Sequence, residues 1–237
     1  MRVLTAVEKW LFVLCLPFML VTASIWWAAN SQWLYTSGFT RYDVSQTTGL
    51  ARSELDKAAA GLIHYFNSPE EFVDITVVRN GQAIDLFTDE EAIHFRDVKQ
   101  LFRLDFYVFL GTAVYCVAYA SGNILLRQRR YYRHLSQAVL GGSVLTLALM
   151  LLLGTGALLD FDQFFLRFHL FAFTNEFWSA EGYMLLLFPG GFWYDAVIYC
   201  GAATAIVALI LAAVAGGCLR VKTGSQSGET QVHEIQQ

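Results

Sequence analysis

The run FFLRFHLFAFTNEFW, from Phe164 to Trp178, decides how the chain is read. It is densely aromatic, yet it carries Arg167, His169, Asn175 and Glu176. A spanning helix needs roughly 20 apolar residues, and this run is interrupted well before that. Charged groups are costly inside hydrocarbon, whereas aromatic rings favour the membrane–water boundary. The run therefore reads as a segment lying at, or dipping into, one face of a membrane and holding His169 there.

The rest of the composition agrees. The chain has 237 residues, 56% hydrophobic and 15% charged, with mean hydropathy +0.44. A soluble domain carries about 25% charged residues, so the apolar excess indicates an integral membrane protein. The net charge of −4 comes with no basic block suited to nucleic acid. Cys15, Cys116, Cys200 and Cys218 all fall in apolar stretches, where thiols behave as small hydrophobes; neither disulfides nor metal ligation is expected of them.

Reading outward gives eight segments. Residues 1–29 form an N-terminal end and a first span. Its apolar run is longer than a signal-peptide core of about 7–15 residues and is rich in Trp. Phe12-Val13-Leu14 before Cys15 lacks the small residues of a lipoprotein acylation site. Residues 30–103 are polar and largely acidic, a small subdomain. Within it, residues 51–66 have helical character, stopped at Asn67-Ser68-Pro69. Residues 74–88 read as a hairpin around Asn80-Gly81, the favoured pair for a tight turn between strands. Thr88 and Glu91 are spaced as a capping box opening a further helix.

The second span covers 104–126, a basic loop 127–138, the third span 139–159, and the aromatic, interfacial segment 160–194. The fourth span is 195–219, and 220–237 reads as a disordered tail. The fold class is thus an all-α membrane protein: a four-transmembrane-helix bundle with a small α+β extracytoplasmic subdomain, a β-hairpin plus helices, between helices 1 and 2. Arg2 and Lys9, the loop residues Arg127, Arg129, Arg130 and Arg133, and Arg220 with Lys222 all fall on one side of such an arrangement. Basic residues in short loops mark the cytoplasmic side, so both termini are expected there. The subdomain and the aromatic segment then share the outer side. No internal repeat, Gly-rich phosphate loop or zinc-finger spacing is present in the sequence.

The chemistry rests on histidine. His134 and His233 fall on the basic side and His64 on an outer helix, all in ordinary polar contexts. His94 and His169 both fall on the outer side, next to spans. Residues three and four apart share a helix face, which groups His94, Asp97, Val98 and Leu101. Two readings stay open at this point. The two histidines are unrelated boundary residues, with an apolar body and a polar tip. Or they form one site at the outer leaflet, with Asp97 orienting an imidazole. Histidine is the side chain suited to acid and base work near neutrality. No Gly-x-Ser-x-Gly elbow is present, so acyl transfer here would proceed without an acyl-enzyme.

Three motifs occur in topological register: His94-x-x-Asp97-Val98 before the second span, His169-x-x-x-Phe173-x-Asn175-x-x-Trp178 after the third, and Phe188-Pro189-x-x-Phe192-Trp193 before the fourth. Together they resemble the lipoprotein intramolecular transacylase (Lit) family of bacteria, from the first span to the fourth. One stretch departs from the family pattern: Ser179-Ala180-Glu181-Gly182 lacks an acidic-Pro turn. The resemblance implies a multi-pass enzyme of the bacterial plasma membrane, working at the outer leaflet without a cofactor. Its substrate would be a diacylated membrane lipoprotein, among membrane lipids. The sn-2 acyl chain of the diacylglyceryl-cysteine would move to the α-amino group of the same cysteine, giving an N-acyl lyso-form. His94, steered by Asp97, and His169 would supply acid and base, in either order. Arg167 and Asn175 would donate to an oxyanion or substrate carbonyl, or hold the short segment in place. Trp178, Phe188, Phe192 and Trp193 would line the lipid-facing cleft. Two other functions fit the residues alone: a metal-dependent lipid hydrolase using His94, Asp97 and His169 as ligands, and a non-enzymatic membrane sensor or accessory protein.

Overall fold

The computed structural model describes residues 2–125 and 129–234. Four helices are long and apolar enough to cross a membrane: Ala6–Ala29, Asp89–Leu125, Tyr132–Leu159 and Gly190–Arg220. They belong to α1 (Arg2–Ala29), α5 (Asp89–Leu125), α6 (Arg129–Leu159) and α9 (Gly190–Glu234). Between α1 and α5 lie α2 (Gln32–Arg41), α3 (Val44–Thr48), α4 (Arg52–Asn67) and a two-stranded antiparallel sheet. Between α6 and α9 lie α7 (Phe161–Ala172), a 3-10 turn at Phe177–Ser179, and α8 (Tyr183–Leu187).

The chain divides into two compact units. The first comprises Met1–Ala23, Tyr107–Leu152 and Gly201–Gln237. Phe12, Val13, Leu16, Cys116 and Ala138 form its buried centre. The four cysteines are free thiols. The second comprises Ser24–Phe106 and Leu153–Cys200, and it carries the chemistry-bearing residues.

The core of the second unit follows from local patterning. Helix α4 buries Leu55, Ala58, Ala59, Leu62, Tyr65 and Phe66, the three-four spacing of an amphipathic helix. The strands β1 (Thr76–Arg79) and β2 (Gln82–Asp85) pair Arg79 with Gln82 around Asn80-Gly81. Both turn residues have positive φ, 52° and 80°, the two-residue turn that matches strand twist. Val77 and Leu86 carry the sheet into the α4 core. Met184, Leu187, Phe188 and Phe192 fill the same core from the far end of the chain.

The expected helix boundaries shift in three places. The helix opened by Thr88 and the second span are one unbroken α5 of 37 residues. At 1.5 Å per residue it is about 55 Å long, well beyond a hydrocarbon core of about 30 Å. Its uncharged part is 106–125, and His94 lies in the charged part before it. Helix α6 begins at Arg129, so 129–138 is helical where a loop is expected; Arg127 lies outside the described residues. Helix α9 begins at Gly190, five residues before the expected start, and continues to Glu234 through the expected disordered tail. No proline interrupts any of these stretches, and helix propagation adds one hydrogen bond for each residue fixed.

One contact ties α5 to the segment before α9. Glu91 is fully buried. Its Oε2 accepts from the Thr88 N–H at 2.9 Å, and Thr88 Oγ1 accepts from the Glu91 N–H at 3.3 Å, the reciprocal capping box. Its Oε1 accepts from the Met184 N–H at 2.6 Å. A Cβ at Gly182 would run into this carboxylate, so a side chain at Gly182 displaces it. Gly182→Ala is expected to destabilise the protein by about 1–3 kcal/mol, as overpacking does. Gly111→Ala, inside α5 where a Cβ meets nothing within 4 Å, is expected to keep or raise stability, by up to about 1 kcal/mol. Thermal midpoints in detergent check both; equal midpoints would remove the tie.

Candidate active site

His94 is placed by α5, one turn past Glu91, and is buried. His169 sits in the last turn of α7 and is buried as well. Their ring centroids are 6.2 Å apart with 29° between planes. Histidines from two different stretches of the second unit, Ser24–Phe106 and Leu153–Cys200, are therefore neighbours.

The surroundings are aromatic. Phe173 stands 4.8 Å from His94 and 5.4 Å from His169, ring to ring. Phe165 at 4.2 Å and Trp178 at 5.1 Å cover other sides of His169. Little water reaches either imidazole, and burial disfavours a charged ring. The pKa of His94 is pushed down to about 4, first by burial, then by the charge His169 can carry, with Asp97 pulling the other way. His169 is lowered by burial and partly restored by its backbone hydrogen bond. Both rings are therefore predominantly neutral at pH 7.

That hydrogen bond fixes a tautomer. His169 Nδ1 lies 2.8 Å from the Phe165 carbonyl oxygen. A carbonyl only accepts, so Nδ1 carries the proton, and in the neutral ring Nε2 keeps the lone pair. The partner is the i−4 carbonyl, one turn back along α7, whose second lone pair is open to a side-chain donor. His94 has no such anchor: its Nδ1 is buried with no hydrogen-bond partner.

Asp97 does not hold His94 by a hydrogen bond. Its Oδ2 accepts from Asn175 Nδ2 at 2.8 Å, and Oδ1 lies 3.8 Å from Arg96 Nε. Asn175 Oδ1 accepts in turn from the Phe177 N–H at 3.1 Å. The pair ties the loop after α7 to α5. Arg167 is exposed and two residues from His169, on the other side of α7. Trp178 reaches His169, and Trp193 is one ring further out, 6.0 Å from Phe165. Phe188 and Phe192 are buried among Tyr35 and Phe39 and touch neither imidazole. No group of three or more His, Cys, Asp or Glu among the described residues is arranged to hold a metal ion. Sequence reasoning missed Phe165 as partner of His169, although the i−4 spacing on a short helix was its signal.

The profile of the lipoprotein intramolecular transacylase Lit family matches residues 10–193. No curated protein sequence matches the chain. Among solved structures, the in meso structure of the membrane integral lipoprotein intramolecular transacylase Lit from Bacillus cereus is similar, at TM-score 0.75 and 16% identity. The match covers 94% of this chain and 99% of that one. Forms of the Bacillus cereus protein with one histidine replaced by arginine or by alanine match at TM-score 0.74 and 16% identity. They cover 94% and 93% of this chain and 95% and 96% of theirs. The shared fold is that of an integral membrane protein, and the match over residues 10–193 takes in both histidines and the helices that carry them: the chain belongs to the lipoprotein intramolecular transacylase Lit family, an acyltransferase family.

Proposed function

We propose that the enzyme moves the sn-2 acyl chain of a diacylglyceryl-cysteine lipoprotein to the α-amino group of the same cysteine, with His169 as proton carrier and His94 as oxyanion donor. The observation that carries this reading is the neutral, aromatic-walled pair of imidazoles 6.2 Å apart, one held in a single tautomer. Amine and ester belong to one molecule, so alignment supplies much of the rate. Well-oriented intramolecular reactions reach effective molarities of about 10⁵–10⁸ M.

The neutral amine attacks the ester carbonyl, forming the C–N bond and a tetrahedral oxyanion. His169 Nε2, whose lone pair is free to accept, takes the proton the nitrogen sheds. Collapse breaks the bond to the sn-2 glycerol oxygen, and the same proton passes to that oxygen. Proton count and charge close on themselves. His94, neutral, donates an N–H toward the oxyanion; its buried Nδ1 has no protein partner that would compete. Buried polar groups without partners are rare, and a donor aimed where charge develops is worth far more in a dry site than in water. Asp97 and Asn175 position the loop that carries Phe173 and Trp178. Trp178 and Trp193 flank the acyl chain. The distribution of basic residues supports cytoplasmic termini and a site facing the outer leaflet.

His94→Ala and His169→Ala are each expected to lower transfer by about 10²–10⁴-fold, the usual share of acid–base help. Mass spectrometry of the N-terminal lipopeptide of a co-expressed lipoprotein reads the outcome; unchanged N-acyl product in both variants would defeat the reading.

The pH dependence has a definite sign. The substrate α-amine has an ordinary pKa of about 8, so the logarithm of the rate rises with pH at a slope of about one between the imidazole range and 8. Because both imidazole pKa values lie below 6.5, a second, steeper limb is expected only on the acid side of 6.5. Histidine-labelled protein followed by NMR is expected to show both rings more than half neutral at pH 6.5. Half-protonation of either ring at or above that pH would contradict the mechanism.

A further inference from the structure

Helix α2 is amphipathic in an unusual way. Leu34, Tyr35 and Phe39 go into the core. The opposite stripe is Trp33, Thr36, Ser37, Thr40 and Arg41, at the three-four spacing of one helix face. With Arg52 of α4 it lines an open cleft of about 420 Å³. Through Trp33, Ser37 and Arg41 the cleft meets a smaller cavity of about 60 Å³ floored by Phe192 and Tyr199 of α9. One end is thus aromatic and the other cationic and hydroxyl-rich. None of the six cleft side chains has a ring contact or hydrogen bond to His94 or His169 among the described residues.

The charge is positive but modest. Arg41 pairs with Asp195 Oδ2 at 3.0 Å, and the Tyr42 hydroxyl donates to the same oxygen at 2.9 Å. Arg52 has no carboxylate partner among the described residues and bonds to Thr40 Oγ1. One guanidinium charge is left over, which matches a phosphodiester monoanion and the planar fork of arginine.

The hydroxyls narrow the ligand further. Thr36 donates to the Trp33 carbonyl at 3.4 Å, Ser37 to that of Leu34 at 3.2 Å, and Thr40 to that of Thr36 at 2.8 Å. Their protons are spent on the helix, and Thr40 also accepts from Arg52, so the remaining lone pairs of the three hydroxyls are what the cleft presents. A partner must therefore donate hydroxyls as well as accept from arginine. Position gives the rest: Trp33 is 57% exposed and lies 5.9 Å, ring to ring, from Tyr199, inside the apolar stretch of α9. Exposed tryptophan beside a spanning helix marks the membrane boundary.

We infer that this cleft binds the headgroup of an anionic glycerophospholipid whose alcohol carries free hydroxyls, of the phosphatidylglycerol type. The phosphate meets Arg52 and Arg41, the headgroup hydroxyls donate to Thr36, Ser37 and Thr40, and the glycerol backbone lies along Trp33. A choline headgroup has no hydroxyl to donate and sets a cation against the guanidinium groups.

Native mass spectrometry of the full chain in a neutral detergent tests this, with dioleoyl phosphatidylglycerol, phosphatidylcholine and phosphatidylmethanol as probes. Phosphatidylglycerol is expected to be retained about fivefold over phosphatidylcholine, the worth of about one surface arginine, and over phosphatidylmethanol to a smaller degree. Arg52→Gln, at an exposed site outside any ion pair among the described residues, is expected to erase the preference over phosphatidylcholine while leaving the thermal midpoint in place. Arg41→Gln is expected to do the same; should it unfold the chain, Arg52→Gln decides alone. Equal retention of phosphatidylglycerol and phosphatidylcholine by the parent protein, or an undiminished preference in Arg52→Gln, overturns the assignment. So does equal retention of phosphatidylglycerol and phosphatidylmethanol, and so does displacement of the lipid by millimolar inorganic phosphate, which would mark a site for free anions.

Discussion

The second unit depends on a carboxylate with no access to water. Moving such a group out of solvent costs several kcal/mol unless it is well paired. Glu91 meets that requirement with two backbone N–H donors, from Thr88 and from Met184, 93 positions further along the chain. One bond ends a helix and the other joins two distant stretches, so the same atoms set where α5 begins and where α8 sits. His94 follows one turn later on α5. Leu187 and Phe188, just past Met184, enter the core shared with α4 and the hairpin. The absence of a Cβ at Gly182 is what lets the loop come close enough.

A second constraint acts on the imidazoles. Aromatic walls exclude water but offer few hydrogen bonds, and a buried ring nitrogen must find a partner or stay bare. His169 solves this within its own helix, by donating to the carbonyl four residues back. This fixes the tautomer without any carboxylate, and so without the negative charge that would draw a proton onto the ring. Phe173, at the end of α7, fills the space against both rings. Its loop is held by the bond from Asn175 to Asp97.

Local signals were legible in the sequence, and distant pairings were not. The Thr88–Glu91 capping box, the Asn80-Gly81 turn, the buried stripe of α4 and the four spans all follow from spacing rules that operate within a few residues. Topology put His94 and His169 on one side and left open whether they meet; the family resemblance alone implied that they work together. By contrast, α2 and α3 gave little signal: they are short, and their mixture of Trp, Tyr, Ser and Thr has no strong helical preference. The length of α5 was underestimated because composition changes near Leu104 while the backbone meets no breaker there. Phe188 and Phe192 looked like cleft residues beside Trp193, yet an apolar ring next to a spanning helix serves equally well in a core, and packing across 150 residues decided it. The second hydrogen bond of Glu91 and the choice of Asn175 by Asp97 lie beyond any spacing rule.

That last choice bears on the proposed chemistry. A carboxylate bonded to an imidazole stabilises the protonated ring, as suits a histidine that must hold a proton through a covalent intermediate. An intramolecular O-to-N transfer makes no such demand. The proton leaves nitrogen and arrives at oxygen within one substrate, so the carrier needs only a lone pair to accept it and low basicity to release it. An imidazolium beside the attacking amine, being the stronger acid of the two, would also hand it a proton and remove the lone pair that attacks. With Asp97 engaged by Asn175 and burial disfavouring charge on both rings, the proposed mechanism gives the amine an acceptor at His169 and a dipole at His94. The side chain that looked in the sequence like the orienting member of a dyad instead anchors the loop around it, and its distance from a hydrogen bond with His94 is what leaves that ring free to donate.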